Sequence, residues 1–380
     1  MTNYRIPFAK PMLTDDDKRA VMAVLDRPIL TNGPEVRALE EEFSEYLGPS
    51  WRGPRHCVAV SSCWAALHLG ASVYCDDLSE FVVRMPALTH VATAHAIDAT
   101  AAEIQFVDTE FGPQGNLYGG FVQIDDKRTH LTINMPFAGI PHTTPNRANP
   151  EYTMSDNALG LGAKINGRHA GCDDRFCTYS FYPTKHLTGG EGGMLTCLYA
   201  DDAKEAKYRR GFGVVPDGSL GRYDVEYLGY NLRMTEIQAA LIRSQLKRID
   251  ETLHIRKNNW TTLRGKLINN HNQDYGTVLS VANEMSESSY YCLVLHLRDE
   301  YDRDIIRFRL AEAGIETSIY YPKPVPFMSY YRQKYNTQPH EFPNAQRIAK
   351  HSIAFPVGTH LSPADIDYIA QEMKKAIQQS

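Results

Sequence analysis

The sequence predicts an α/β protein: a large domain around a mostly parallel sheet, followed by a smaller C-terminal α+β domain. Three observations carry this. Strand-like and helix-like segments alternate through the first half of the chain. A long amphipathic helical stretch, 234–268, then leads out of the alternating region. Finally, 380 residues exceed what one small core organises. The expected boundaries are 1–250 and 251–380.

"TDDDKRAVMAVLD" (14–26) opens with a capping threonine and an acidic first turn, then spaces its apolar residues by three and four, which predicts a helix. "TNGPEVRALEEEFSEYLG" (31–48) reads as a turn and a second amphipathic helix ending at Gly48. "CVAVSSCWAALHLGASV" begins as a short buried strand and continues from Ala65 as a helix, with serines at the switch. Strands are expected at 81–88, 103–108, 129–135, 152–156 and 175–181, with a helix over "HVATAHAIDA". In the second half, 290–297 reads as a strand, and 302–314 and 362–377 as helices. In sheets of this kind ligands sit beyond the carboxyl ends of the strands. That brings Ser61, Ser62, Pro86, Asp156 and Lys185 to one rim.

Composition narrows the function. Hydrophobic residues make up 43 % and charged residues 22 %, ordinary for a soluble globular chain, and the net charge of −5 offers no basic excess for nucleic acid. Seven cysteines without CxxC or ligand-like spacing argue for reduced thiols, a cytoplasmic protein and no structural metal. The N-terminus lacks a signal-peptide pattern, and the mildly apolar run 57–75 is broken by Ser61, Ser62, His68 and Ser72, so no membrane span is expected.

"SFYPTKHLTGGEGG" (180–193) places Lys185 before a run of glycines, the reverse of a phosphate loop that ends on its lysine. Taken alone, Lys185 reads as a solvated or salt-bridged side chain. Gly189, Gly190, Gly192 and Gly193, however, let backbone approach a ligand closely, and an unprotonated lysine amine can form a Schiff base. Asp156, at an expected strand end, reads either as a turn aspartate or as the partner of a pyridine nitrogen. "SSCW" (61–64), at a strand-to-helix switch, offers free amides for a phosphate at Ser62, Cys63 and Trp64, or simple capping. Ser180 could add a hydroxyl to the same phosphate. His90 reads as structural or as a ring stacked on a planar cofactor.

Taken together, "IPFAKP", "LTNGPEVRALEEEF", "VAVSSCWAALHL", "SFYPTKHLTGGEGGM", "GYNLRMTEIQAAL" and "GIETSIYYPKP" resemble the DegT/DnrJ/EryC1/StrS aminotransferases, which act mainly on sugars. The resemblance spans nearly the whole chain. It implies the aspartate-aminotransferase-like fold (fold type I) and pyridoxal 5'-phosphate as cofactor. By the same resemblance, Lys185 matches the lysine that carries the cofactor as a Schiff base, Asp156 the partner of its ring nitrogen and His90 the stacking aromatic. Ser180 and the 63–64 backbone match phosphate contacts. Asn231 matches an asparagine reaching the neighbouring subunit's phosphate, which implies a homodimer with shared sites. Tyr320, Tyr321 and Lys323 fall on the sugar side. Three departures stand out: Cys63 and Trp64 replace the usual Gly-Thr; Leu159 replaces a glutamine three residues after the aspartate; and the stretch 111–130 matches poorly.

The implied reaction is transamination, with glutamate as amino donor and a keto or aldehyde sugar as acceptor. The acceptor is a nucleotide-linked keto sugar or, as an alternative, a free oxidised sugar acid such as an 8-oxo octulosonate. The product would be an amino sugar for cell-surface polysaccharide, lipopolysaccharide or a glycosylated metabolite. Two other classes are a sugar dehydratase, which in relatives carries histidine in place of the lysine, and a non-enzymatic cofactor-binding regulator. The lysine at 185 weighs against the first, and retention of both Lys185 and Asp156 against the second.

Overall fold

The structure, a computed structural model, describes residues 4–74, 79–111, 117–118, 129–141, 150–217, 222–268, 275–281, 284–338 and 340–379. Helix α1 (Asp15–Leu25) is started by a reciprocal capping box between Thr14 and Asp17. Helix α2 (Pro34–Leu47) begins at a proline after Gly33, and its first amides are capped from far along the chain. The Glu236 carboxylate accepts from Gly33 N–H (2.7 Å), Glu35 N–H (2.8 Å) and Val36 N–H (3.1 Å).

Strand β1 (His56–Val60) runs into helix α3 (Cys63–Tyr74), β2 (Val82–Pro86) into α4 (Val91–Asp98), and then come β3 (Glu103–Val107), β4 (Thr129–Asn134), β5 (Thr153–Asp156), β6 (Phe176–Ser180) and β7 (Gly193–Cys197). These seven strands form one sheet in the order β1–β7–β6–β5–β4–β2–β3. Pairing is parallel from β6 through β3, while β7 runs antiparallel to both β1 and β6. The mostly parallel sheet expected from the alternation is therefore present. The strand that departs from it, β7, follows the glycine run with "GMLTC", and the sequence reading did not mark it as a strand.

Side chains alternate across this sheet, as the strand period requires. Val58 and Val60 face α3 with Met154, Phe176 and Leu195. Cys57 and Ala59 face the other way, with Cys177, Tyr179 and Met194, against α2 and α6 (Glu236–Leu246). Helix α3 is buried along almost its whole length, from Ala65 to Val73, because it lies between the sheet, α4 and α5 (Ala200–Arg210). It starts at Cys63 rather than at the expected Ala65, so "SSCW" is itself the helix start.

The stretch 234–268 is two helices. Helix α6 ends at Leu246 and α7 (Ile249–Leu267) begins anew, with Asp250 and Glu251 in its first turn. At the break Arg248 reaches back to buried Asp17 (2.5 Å), tying the junction to α1. Beyond it, β8 (Gly276–Val278), β9 (Leu293–Leu297) and β10 (Ser352–Phe355) form an antiparallel sheet. Helices α8 (Arg303–Glu312), α9 (Ser329–Tyr335), α10 (Pro343–His351) and α11 (Pro363–Gln378) complete the chain. A second core packs Leu263, Leu295, Ile306, Ile353 and Ile369 together, and Ile6 from the N-terminal segment joins it through a bridge to Ile315. A third apolar cluster joins Leu88, Met135 and Leu159 to Tyr291, Val294 and Tyr321. Among the described residues no helix is long and apolar enough to cross a membrane. The six described cysteines form no disulfide with one another. Most of the stretch 111–130 lies outside the described residues.

Candidate active site

At the carboxyl ends of β5 and β6 lies a cavity of about 410 Å³. Ser62, Cys63, Trp64, His90, Asp156, Ser180, Lys185, Tyr320 and Tyr321 line it together, as do Leu159 and Tyr291. Residues spread over 260 positions are thus gathered by the strand ends. Ser61 and Pro86 do not line it. Asn231 and Lys323 are exposed and also lie outside the lining. Asn231 sits on a segment bridged to Gly211, one residue before Leu232, whose carbonyl accepts from Ser61 N–H.

Asp156 closes β5 and is 4 % exposed. Its Oδ2 accepts from Thr93 Oγ1 at 2.7 Å and its Oδ1 from Ala158 N–H at 3.1 Å, with Cys63 Sγ 3.8 Å away. It has no ion-pair partner among the described residues. A buried carboxylate that lines a cavity and has no ion-pair partner among the described residues is complementary to a protonated ring nitrogen. Cys63 Sγ also lies 3.6 Å from Thr178 Oγ1. Burial first, and the Asp156 charge second, hold the Cys63 thiol well above its ordinary range, so it stays protonated.

The start of α3 supplies the second feature. Ser62 Oγ caps the helix by accepting from Ala65 N–H at 3.1 Å. The amides of Cys63 and Trp64, at the first positions of the helix, precede any intrahelical partner, and both residues line the cavity. The Ser62–Cys63 peptide packs directly on Gly193: a Cβ there would lie 2.4 Å from the Ser62 carbonyl carbon and oxygen. Only glycine lets β7 approach this closely, which gives the glycine run a structural purpose. The Trp64 ring stacks on His68 at 5.1 Å, with Tyr230 against the edge of the same imidazole.

His90 caps α4, its Nδ1 accepting from Ala92 N–H at 3.1 Å, so the proton of the neutral ring sits on Nε2. Desolvation lowers its pKa and Asp156 opposes the shift. Lys185 follows β6 in a turn, its amide donating to Tyr182 carbonyl at 2.9 Å, and its Nζ lies 5.2 Å from the Tyr291 ring centre. Next to it His186 is buried and bonded to Ser289 carbonyl at 2.8 Å. Tyr291 Oη joins Thr184 (3.0 Å) and Tyr320 (3.1 Å). Leu159 presents only carbon to the cavity, while its carbonyl accepts from Ser289 Oγ at 2.6 Å.

Sequence reasoning did not single out Thr93, Thr184 or Tyr291. Thr93 lies one helical turn after His90, a spacing that puts both on the side of α4 facing the cavity. Tyr291 had no local signal, since it reaches the site only through the fold of the second half.

The residues present fit pyridoxal phosphate: an amine at Lys185, an unpaired buried carboxylate at Asp156, and free helix-start amides cradled against Gly193. Comparisons with known proteins agree. The chain is 26 % identical over 400 residues to the spore coat polysaccharide biosynthesis protein SpsC of Bacillus subtilis (strain 168), covering 99 % of this chain and 98 % of the relative. It is 26 % identical over 379 residues to GDP-perosamine synthase of Escherichia coli O157:H7, covering 97 % and 98 %. Its fold matches Spr1654 of Streptococcus pneumoniae in the PLP form with a TM-score of 0.84 at 25 % identity, over 99 % of each chain. The model of the DegT/DnrJ/EryC1/StrS aminotransferase family matches residues 11–113 and 152–374, passing over most of the stretch 111–130. The chain therefore belongs to the DegT/DnrJ/EryC1/StrS aminotransferase family, with fold type I architecture and pyridoxal phosphate as its cofactor.

Proposed function

We propose that the protein moves an amino group from an amino acid, L-glutamate by family analogy, to the carbonyl of a sugar. The observation that carries this reading is the convergence of Lys185, Asp156 and the start of α3 on one cavity. The named activity of one relative, a GDP-perosamine synthase, supports a sugar as acceptor. Bound pyridoxal phosphate supplies an aldehyde that takes up the amino group and a ring that withdraws electrons from the reacting carbon.

The chain's own residues do the rest. Lys185 Nζ anchors the cofactor covalently. Once displaced by the donor's amine, it takes the proton from the donor's α-carbon and returns one during the second half of the cycle. Asp156 would pair with the ring nitrogen and stabilise its positive charge. His90 would stack on the ring, and the Cys63 and Trp64 amides with Ser62 and Ser180 hydroxyls would hold the phosphate. Tyr320 and Tyr321 contact the sugar, and Lys323, exposed beyond them, reaches its distal part. In the two half-reactions glutamate leaves as its keto acid, and the carbonyl sugar leaves as an amino sugar. That product serves cell-surface polysaccharide, lipopolysaccharide or a glycosylated metabolite.

We further propose a homodimer, in which exposed Asn231 reaches the phosphate held by the other copy, and a cytoplasmic location, which the free cysteines support. The domain boundary is proposed at 250/251, two residues into α7. The test is a pair of half-reactions on purified holoprotein. Glutamate should bleach the yellow cofactor with release of 2-oxoglutarate, and a nucleotide-linked keto sugar should restore the colour. Restoration only by a free sugar acid would move the acceptor to that class. Transamination that persists in Lys185→Ala would reject the assignment.

A further inference from the structure

Aspartate χ2 has no sharply preferred value, so a strand end alone does not fix the plane of the Asp156 carboxylate. Two strong donors on different oxygens do, with the Cys63 thiol at 3.8 Å a weak third on Oδ1. One is local, the Ala158 amide on Oδ1, and comes with the turn after β5. The other is the Thr93 hydroxyl on Oδ2, which comes from α4, 63 positions away in sequence.

Thr93 has one hydroxyl proton. A threonine inside a helix commonly gives it to the carbonyl one turn earlier. Here the proton goes to Asp156 at 2.7 Å. The contact between Thr89 Oγ1 and Thr93 Oγ1, 3.0 Å, therefore has a determined direction: Thr93 has no second proton to give, so Thr89 donates. The result is an oriented chain, Thr89 O–H to Thr93 O–H to Asp156 Oδ2, in which each donation polarises the next. Thr89 and Thr93 are both 0 % exposed, so water does not substitute for either hydroxyl.

We propose that Thr93, backed by Thr89, is a positioning residue that locks Asp156 in the orientation in which it receives the cofactor's ring nitrogen. The inference rests on the role given to Asp156 above. It also gives a role to the threonine pair spaced four apart that follows "MPAL".

The test compares Thr93→Val, which keeps the shape and removes the donor, with Thr93→Ser, which keeps the donor and removes the methyl. Asp156→Asn serves as reference. Pyridoxal phosphate is titrated into each apoprotein, and the induced circular dichroism of the bound cofactor reports its orientation. Apoprotein melting temperature tracks the fold. Loss of a buried hydrogen bond to a charged group predicts cofactor affinity at least about tenfold weaker in Thr93→Val, with altered dichroism, and recovery to within about threefold of wild type in Thr93→Ser. Thr89→Val should shift both readouts in the same direction by a smaller factor, and it decides in place of Thr93→Val if that variant does not fold. Wild-type affinity and dichroism in Thr93→Val, or a Thr93→Ser variant as impaired as Thr93→Val, overturns the proposal while Asp156→Asn remains defective. Normal cofactor binding in Asp156→Asn would instead remove the reading of Asp156 itself, and this inference with it.

Discussion

At the sheet end of the cavity three side chains are held by hydrogen bonds from helix starts and turns. Asp156 is fixed from Thr93 and Ala158, Ser62 caps α3, and His90 caps α4. Adjoining it, three tyrosines meet edge to face: Tyr291 and Tyr320 at 5.7 Å, Tyr320 and Tyr321 at 5.3 Å, with Tyr321 against His90 at 5.7 Å. Burial raises the hydroxyl pKa of Tyr320 and of Tyr321, so both remain proton donors at neutral pH. The first end is built from strand ends and the helix starts that follow them. The second offers ring edges and hydroxyls brought in by the second half of the chain. One cavity thus combines groups set by local strand and helix ends with groups set by long-range packing.

The largest expected break falls at the sheet end. Asp156→Ala should lower kcat by about 10²–10³-fold, the range for losing one preorganised electrostatic partner. A smaller loss there than from changes to the tyrosines would invert the comparison. Gly193→Ala comes next. Its methyl would press on the Ser62–Cys63 peptide, and overpacking of this kind costs about 1–3 kcal/mol. Thermal melts should show the loss, and cofactor titration should show weaker phosphate binding.

Tyr291→Phe sharpens the contrast from the other side. It removes the hydroxyl that joins Thr184 to Tyr320, one neutral hydrogen-bonding group. About 0.5–1.5 kcal/mol predicts an acceptor KM roughly two- to twelvefold higher, with cofactor affinity unchanged. An equal loss of cofactor affinity would show that the two ends are not separable.

Between them, beside Lys185, His186 is buried, and desolvation, followed by the Arg256 charge, depresses its pKa well below 6.5. A depressed histidine is neutral when folded and takes up a proton on unfolding. Its contribution is therefore complete above pH 6.5 and is lost as pH falls below that value. Each such proton gives a slope of about 1.4 kcal/mol per pH unit. His186→Gln should flatten the acid limb of the stability curve by up to one proton, and an unchanged slope would count against the buried neutral ring.

The same contrast explains what the sequence made legible. Strand ends and helix starts are local, so "SSCW", "PALTH" and "TMSD" announced the residues of the sheet end before any fold was known. Thr93 was hidden because a threonine in a helix has no polar signature until Asp156 is placed beside it. The tyrosine end depends on a third apolar cluster that joins Leu88 and Leu159 to Val294 and Tyr321. No short pattern encodes such a junction. The break between α6 and α7 escaped for a related reason: apolar spacing continues across it, and the interruption is fixed by Arg248 reaching Asp17 in another helix.

The central claim is a covalent link at Lys185, and the most direct measurement is borohydride reduction of the holoprotein followed by peptide mapping. The account predicts a pyridoxyl adduct on the peptide containing Lys185 and on no other. An adduct at a different lysine, or none on a protein that retains its cofactor, would contradict it.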